Sequence, residues 1–306
     1  MRPAGTFYTH PRCSDAPNGV ANPGRWLEVL ALSAQLVKDL VDSGIHLGHR
    51  ASRWNPKMKP YIFGKRNLIH VINIKETLKG ILLSKKFLAQ MVSDNKDILI
   101  VGTKRQARKS VQENSERVSM HYVNDRWLGG TLTNFREIRK RIGRLEYLEQ
   151  LDSQNLLDQY SKKEGSTLRR EMTKIQRNLG GIRKMERLPG ALLVIDQRRE
   201  LNAIKEAKKM GIPVICLLDT DCDPDVVDIP IPGNDDGMRG IEIVVKELCD
   251  AIAEGMHMRA EKAVAPAAGG DESAPAGRRN RRPSAADAAD AAAAEKKADI
   301  EGMTAQ

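Results

Sequence analysis

The chain has 306 residues, with 50 Lys+Arg against 40 Asp+Glu and a formal net charge of +10. That length fits one or two domains, and that balance points to an acidic partner such as nucleic acid or anionic lipid. No run of about 18 apolar residues is present, so no membrane-spanning helix is expected. Four cysteines (Cys13, Cys216, Cys222, Cys249) without a CxxC pair form neither a disulfide framework nor a zinc or redox motif, and are expected to be reduced. Glu28 interrupts the faintly signal-like stretch at 26–37, so secretion is not expected.

Residues 1–32 hold four prolines and three glycines without periodicity and are expected to be disordered; an initiator near Val29 or Leu30 is the alternative. Residues 36–43 have the spacing of a short amphipathic helix stopped by Gly44. From His49 to Ile74 there are six basic residues and no acid. Within that stretch, two β-rich runs flank Gly64-Lys-Arg-Asn67 and predict a hairpin over 60–73. Helical spacing follows over 75–92, then Asp97-Ile-Leu-Ile-Val-Gly-Thr103, a continuous apolar run of the kind that forms a buried parallel strand. Ala191-Leu-Leu-Val-Ile-Asp196 and Ile212-Pro-Val-Ile-Cys-Leu-Leu-Asp219 are two more such runs, and 120–123 and 228–231 are shorter candidates. Helical stretches at 105–117, 200–210 and 238–254 sit between or after them. Alternating strands and helices predict a five-stranded parallel sheet of flavodoxin-like order with helices on both faces. The α/β domain is expected over 33–130 and 189–255.

Residues 131–188 break the rhythm. Phe135, Ile138, Ile142, Leu145, Leu148 and Leu168, Met172, Ile175, Leu179, Ile182 step by threes and fours on two arms. These are coiled-coil intervals, which favour an inserted antiparallel helical hairpin over two helices lying on the sheet. Residues 256–306 balance eight basic against eight acidic residues, are rich in alanine, and are expected to be a solvated tail.

Neither GxGxxG nor GxxxxGK[ST] occurs, so no common nucleotide-cradling loop is present. Gly102-Thr-Lys-Arg105 follows a strand and opens a helix, where a single RNA phosphate fits better than a nucleotide. His46 and His49 have no visible third ligand and read as ordinary loop histidines. Asp219, Asp221, Asp223 and Asp225 alternate as in a calcium loop, but Pro224 and Pro230 occupy the places of the needed glycine and glutamate. No cofactor and no metal are expected. Aromatics at 4% are too few to stack a long single strand, which favours folded RNA bound through shape and phosphates.

Seven motifs occur in order: His46-Leu-Gly-His49, Trp54-Asn-Pro-Lys-Met-Lys-Pro-Tyr-Ile-Phe-Gly64, Val101-Gly-Thr-Lys104, Arg126-Trp-Leu-Gly-Gly-Thr-Leu-Thr-Asn134, Leu179-Gly-Gly-Ile182, Gly211-Ile-Pro-Val214 and Ile231-Pro-Gly-Asn-Asp-Asp236. With them the chain resembles bacterial small-subunit ribosomal protein two from about 33 to 255. The resemblance implies a non-catalytic, cytoplasmic ribosomal protein that contacts small-subunit (16S) ribosomal RNA. It also implies contacts to neighbouring ribosomal proteins, including the large multi-OB one that captures mRNA. No membrane contact and no homo-oligomer are expected. Candidate RNA-binding residues are Arg50, Arg53, Trp54, Lys57, Lys59, Lys65, Arg66, Lys104, Arg105, Arg108, Lys109 and Arg126, followed by Arg139, Lys140, Arg169 and Arg170 on the hairpin. Two competing functions are an enzyme using a nucleotide on the same scaffold and a free RNA chaperone or translational regulator.

Overall fold

The computed structural model describes residues 35–264. The expected extension at 1–32 and the tail beyond 264, with its basic knot at 278–282, lie outside the described residues. Helix α1 (residues 35–42) ends ahead of Gly44, whose φ of 73° suits glycine. Strands β1 (Leu47–Arg50), β2 (Ile62–Arg66) and β3 (Ile69–Ile72) form a small antiparallel sheet in the order β1-β3-β2. Its β2–β3 hairpin turns on Asn67 and Leu68, both at positive φ (48° and 64°), the backbone that a two-residue turn needs to match strand twist. β1 corrects the expectation of a loop around His46 and His49. Four residues reading Leu-Gly-His-Arg show no alternation, and β1 is a strand because Leu47 and Arg50 pair with Val71 and Ile69 far along the chain.

The main body contains α2 (Ile74–Ser93), β4 (Ile98–Val101), α3 (Arg108–Arg117), β5 (His121–Val123), α4 (Phe135–Ser153), α5 (Lys162–Leu179), β6 (Ala191–Ile195), α6 (Leu201–Met210), β7 (Val214–Leu218), β8 (Ile229–Pro232) and α7 (Met238–Val264). Five strands pair in the order β5-β4-β6-β7-β8, every pair parallel. Counted within this sheet the order is 2-1-3-4-5, as in flavodoxin-like folds. Every residue of β4, β6 and β7 is buried, which explains why these runs are apolar throughout rather than alternating.

The pleat sends alternate side chains to opposite faces. Ile98, Ile100, Leu193, Ile195, Ile215 and Leu217 join a core with α1, α2, α3 and α7. Leu99, Val101, Leu192, Val194, Cys216 and Leu218 join a second core with α6 and with Ile138, Ile142 and Leu179. The bases of α4 and α5 thus cover the sheet. Farther out, Leu145 and Leu148 are buried outside both cores, while Leu168 and Met172 on α5 are half-buried. Arg144–Glu171 and Arg169–Asp152 contacts, both at 3.6 Å, link the two helices. A capping box restarts the chain at α5: Ser161 Oγ accepts from the Glu164 amide, and the Glu164 carboxylate accepts from the Ser161 amide.

Helix α7 runs nine residues past the point where a tail was expected to begin. Its last turns dock on the end of α2: Arg259 Nη1 donates to Asn95 Oδ1 at 3.1 Å, and Lys262 Nζ donates to Ser93 Oγ at 2.9 Å. Gly255 permits this approach, since a Cβ there would lie 2.7 Å from the Ala89 carbonyl oxygen.

Candidate nucleic-acid interface

The carboxyl ends of the parallel strands gather charge. Thr103 and Lys104 leave β4, Asp196 leaves β6, Asp219 leaves β7, and Asp235 and Asp236 follow β8. Lys104 is only 9% exposed, and its Nζ lies 2.9 Å from Asp235, 2.7 Å from Asp236 and 3.5 Å from Asp196. Glu200 accepts from the Thr103 amide at 3.3 Å and from its hydroxyl. This is the switch point between β4 and β6, where α/β sheets commonly bind ligands. Here the chain's own carboxylates fill it, and they would repel a phosphate. Lys104, where an RNA phosphate was expected, thus has its ammonium engaged by three carboxylates of the chain itself. The lysine faces inward because the acids that hold it come from distant segments.

The alternating aspartates are also engaged one by one. Asp219 Oδ2 accepts from His49 Nδ1 at 2.6 Å, Asp221 pairs with Arg198 at 2.5 Å, and Asp223 and Asp225 both take Lys57 Nζ at 2.8 Å. β1 reaches this loop because Gly48 packs against Thr220: a Cβ there would lie 2.5 Å from Thr220 Cγ2. The hydrogen bond to Asp219 raises His49 to about 9, so it is protonated at neutral pH. Burial, together with the Asp196 carboxylate, pushes Asp235 up to about 7. His49, Asp219 and Asp235 each put one ligand atom within 4.8 Å of the others, the one such group among the described residues. A cation entering there would compete with the Lys104 ammonium and with the His49 proton.

Two basic surfaces flank this crevice. The first is at the base of the helical pair. An open groove of about 670 Å³ is lined by Arg108, Lys109, Arg177 and Arg183. An adjoining groove of about 610 Å³ is lined by Arg126, Arg169, Arg170, Lys174 and Arg177. Asp125 lies in both and acts as a pivot, 2.7 Å from Arg108 Nη1 and 2.6 Å from Arg177 Nε. One carboxylate thus orients two guanidiniums, while Arg183 pairs with Glu149 at 2.8 Å and Lys109 lies 3.7 Å from Glu113. Arg105 is exposed just before α3. Arg139 is committed to structure, donating to the carbonyls of Met185 (3.1 Å) and Arg183 (3.3 Å). Lys140 pairs with Glu137 at 2.6 Å.

The second surface is the antiparallel sheet and the turn before it. Arg50, Arg53, Lys59, Lys65 and Arg66 are exposed there. Trp54 is half-buried, its ring 5.2 Å from that of His70. Lys57 shares this surface but is held by its two aspartates.

Lys174, Arg177 and Arg183 were not singled out from sequence, although nine basic residues against three acids over 162–187 marked the segment. Glu206 was missed altogether. From α6 it accepts from Trp127 Nε1 (3.1 Å) and from the amides of Gly130 (2.9 Å), Leu132 (3.0 Å) and Thr133 (3.3 Å). It thereby organises the whole turn carrying Arg126. Burial alone would raise this carboxyl, but those donors outweigh it and hold it below the ordinary value.

Comparison with known proteins places the chain. The family described as Ribosomal protein S2 matches residues 40–255. The small ribosomal subunit protein uS2 of Rhodopirellula baltica is 52% identical over 224 residues, 73% of this chain and 86% of that protein. Its counterpart in Synechocystis is 50% identical over 219 residues, 72% and 81% of the two chains. The uS2c protein of Porphyra purpurea is 47% identical over 223 residues, 73% and 92%. The chain therefore belongs to the ribosomal protein S2 family, whose members are structural, non-enzymatic components of the ribosome.

Proposed function

We propose that this protein is a structural constituent of the small ribosomal subunit that grips folded ribosomal RNA with its two basic surfaces. The observation that carries the proposal is the paired groove around Asp125, where eight cations from α3, α5 and the flanking turns line one surface and Asp125 is the one acid among the lining residues, Arg183 and Arg169 also reaching Glu149 and Asp152 beside it. Like-signed charge of that density is favoured when phosphates displace counterions. The two parts of the groove are open and share Asp125 and Arg177, which suits a phosphate backbone better than a small molecule. The α4–α5 pair serves as a coiled-coil arm carrying one wall of the groove. Protein neighbours, including the large multi-OB mRNA-binding ribosomal protein, belong to the same proposal, as does a cytoplasmic location. No helix among the described residues is long and apolar enough to cross a membrane.

The test is a salt titration of binding to small-subunit ribosomal RNA. Reversing Arg170, Lys174 and Arg177 to Glu should weaken binding at least tenfold. It should also flatten the dependence of log K on log salt by about one unit for each phosphate no longer neutralised. Wild-type affinity and slope in a folded triple variant would remove the groove from the interface.

A further inference from the structure

Phe63 is 81% exposed, more than any other large apolar side chain among the described residues. The backbone enforces that exposure. β2 is an edge strand, and its register with β3 slips at this point: Ile62 lies opposite Ile72 and Gly64 opposite Val71, leaving Phe63 as the extra residue of a β-bulge. A bulge unpairs one residue and re-aims its side chain. Bulges and lysines also protect edge strands from pairing with other sheets, a task for which Lys65 and Arg66 suffice. A phenylalanine on the edge does the opposite, so edge protection does not account for it.

Its surroundings indicate what the ring meets. Lys59, Lys65 and Arg66 are exposed on the same stretch, Arg50 lies across β3, and no acid occurs from His49 to Ile74. A Cβ at Gly64 would meet nothing within 4 Å, so packing does not demand that glycine, and the surface beside the ring stays flat and open. Leu68 is also largely exposed at the hairpin turn, but Phe63 alone of the two has a π face, and an exposed aromatic on a strand with lysine and arginine combines the two elements that hold unpaired nucleotides, a stacking platform and charges for the flanking phosphates. We propose that Phe63 stacks on one unpaired base of folded RNA while Lys65 and Arg66 contact the adjoining phosphates. The proposal rests on the RNA-binding function above. One ring engages one base, in keeping with the low aromatic content of the chain.

The experiment adds the full-length chain and its Phe63→Ala, Phe63→Leu and Phe63→Trp variants to small subunits stripped of this protein. Occupancy is read by sedimentation across a concentration series, the mobility of each nucleotide carrying an unpaired base by 2′-hydroxyl acylation, and folding by thermal melt. The expected result is a loss of affinity of about tenfold for Ala and Leu, retention for Trp, and one unpaired nucleotide newly reactive in the Ala complex. Wild-type affinity and unchanged nucleotide reactivity for Phe63→Ala would overturn stacking, while co-sedimentation of the wild type would leave the wider function standing. Affinity of Phe63→Leu equal to that of Phe63→Trp would also overturn it, because an apolar contact with protein needs no π face. A wild-type chain that does not co-sediment would overturn both.

Discussion

At His49 a single proton links the antiparallel sheet to the loop after β7. Its folded value of about 9 lies above the ordinary 6.5, so the stability it adds is complete below the ordinary value and is lost as pH rises through the folded one. Asp235, raised to about 7, also loses stability with rising pH, but in a lower window. The melting temperature should therefore fall more steeply above neutrality for the wild type than for His49→Gln, and parallel profiles up to about pH 9.5 would refute this. Glu206 offers a second test. Glu206→Ala strands several donors of one turn and should destabilise the protein by about 2 kcal/mol in denaturant titration. Such pairings were the least legible feature of the sequence. The density of basic residues was visible, but Lys104 lies between Asp196, Asp235 and Asp236, which stand 92 to 132 positions away, and only the fold brings them together. For the same reason Lys57 and Arg139 looked like free cations and are in fact committed to partners.

Elements were legible where their signal was local. Each of the three central strands is an unbroken apolar run because both faces of the sheet are covered. The steps of three and four along α4 and α5 mark two helices, buried on the α4 arm at Ile138, Ile142, Leu145 and Leu148 and only half-buried on the α5 arm at Leu168, Met172 and Ile175. The two element-level surprises, β1 and the end of α7, are held by tertiary pairing rather than by their own pattern. Two glycines separate close packing from mere tolerance. Gly255→Ala should cost about 1–3 kcal/mol, since its Cβ would press on Ala89 where α7 crosses α2. Gly143→Ala lies within α4 with nothing within 4 Å of the new Cβ, and should stabilise by up to about 1 kcal/mol. Denaturant titrations that gave the two substitutions the same sign would contradict this account of helix packing.

At the scale of the molecule, charge is sorted. Carboxylates collect at the carboxyl edge of the parallel sheet, where lysine, arginine and histidine side chains of the chain itself meet them. Basic side chains outnumber acidic ones along the groove at the base of the helical pair and on the antiparallel sheet. That division accounts for a basic protein whose switch-point crevice is filled with its own side chains and whose open grooves lie elsewhere. The most direct test is sedimentation of the native protein from lysate through a sucrose gradient at high magnesium and moderate salt. Co-migration with the small subunit at close to one copy each is the predicted result. A peak at the top of the gradient, with none at the subunit, would contradict a structural role there.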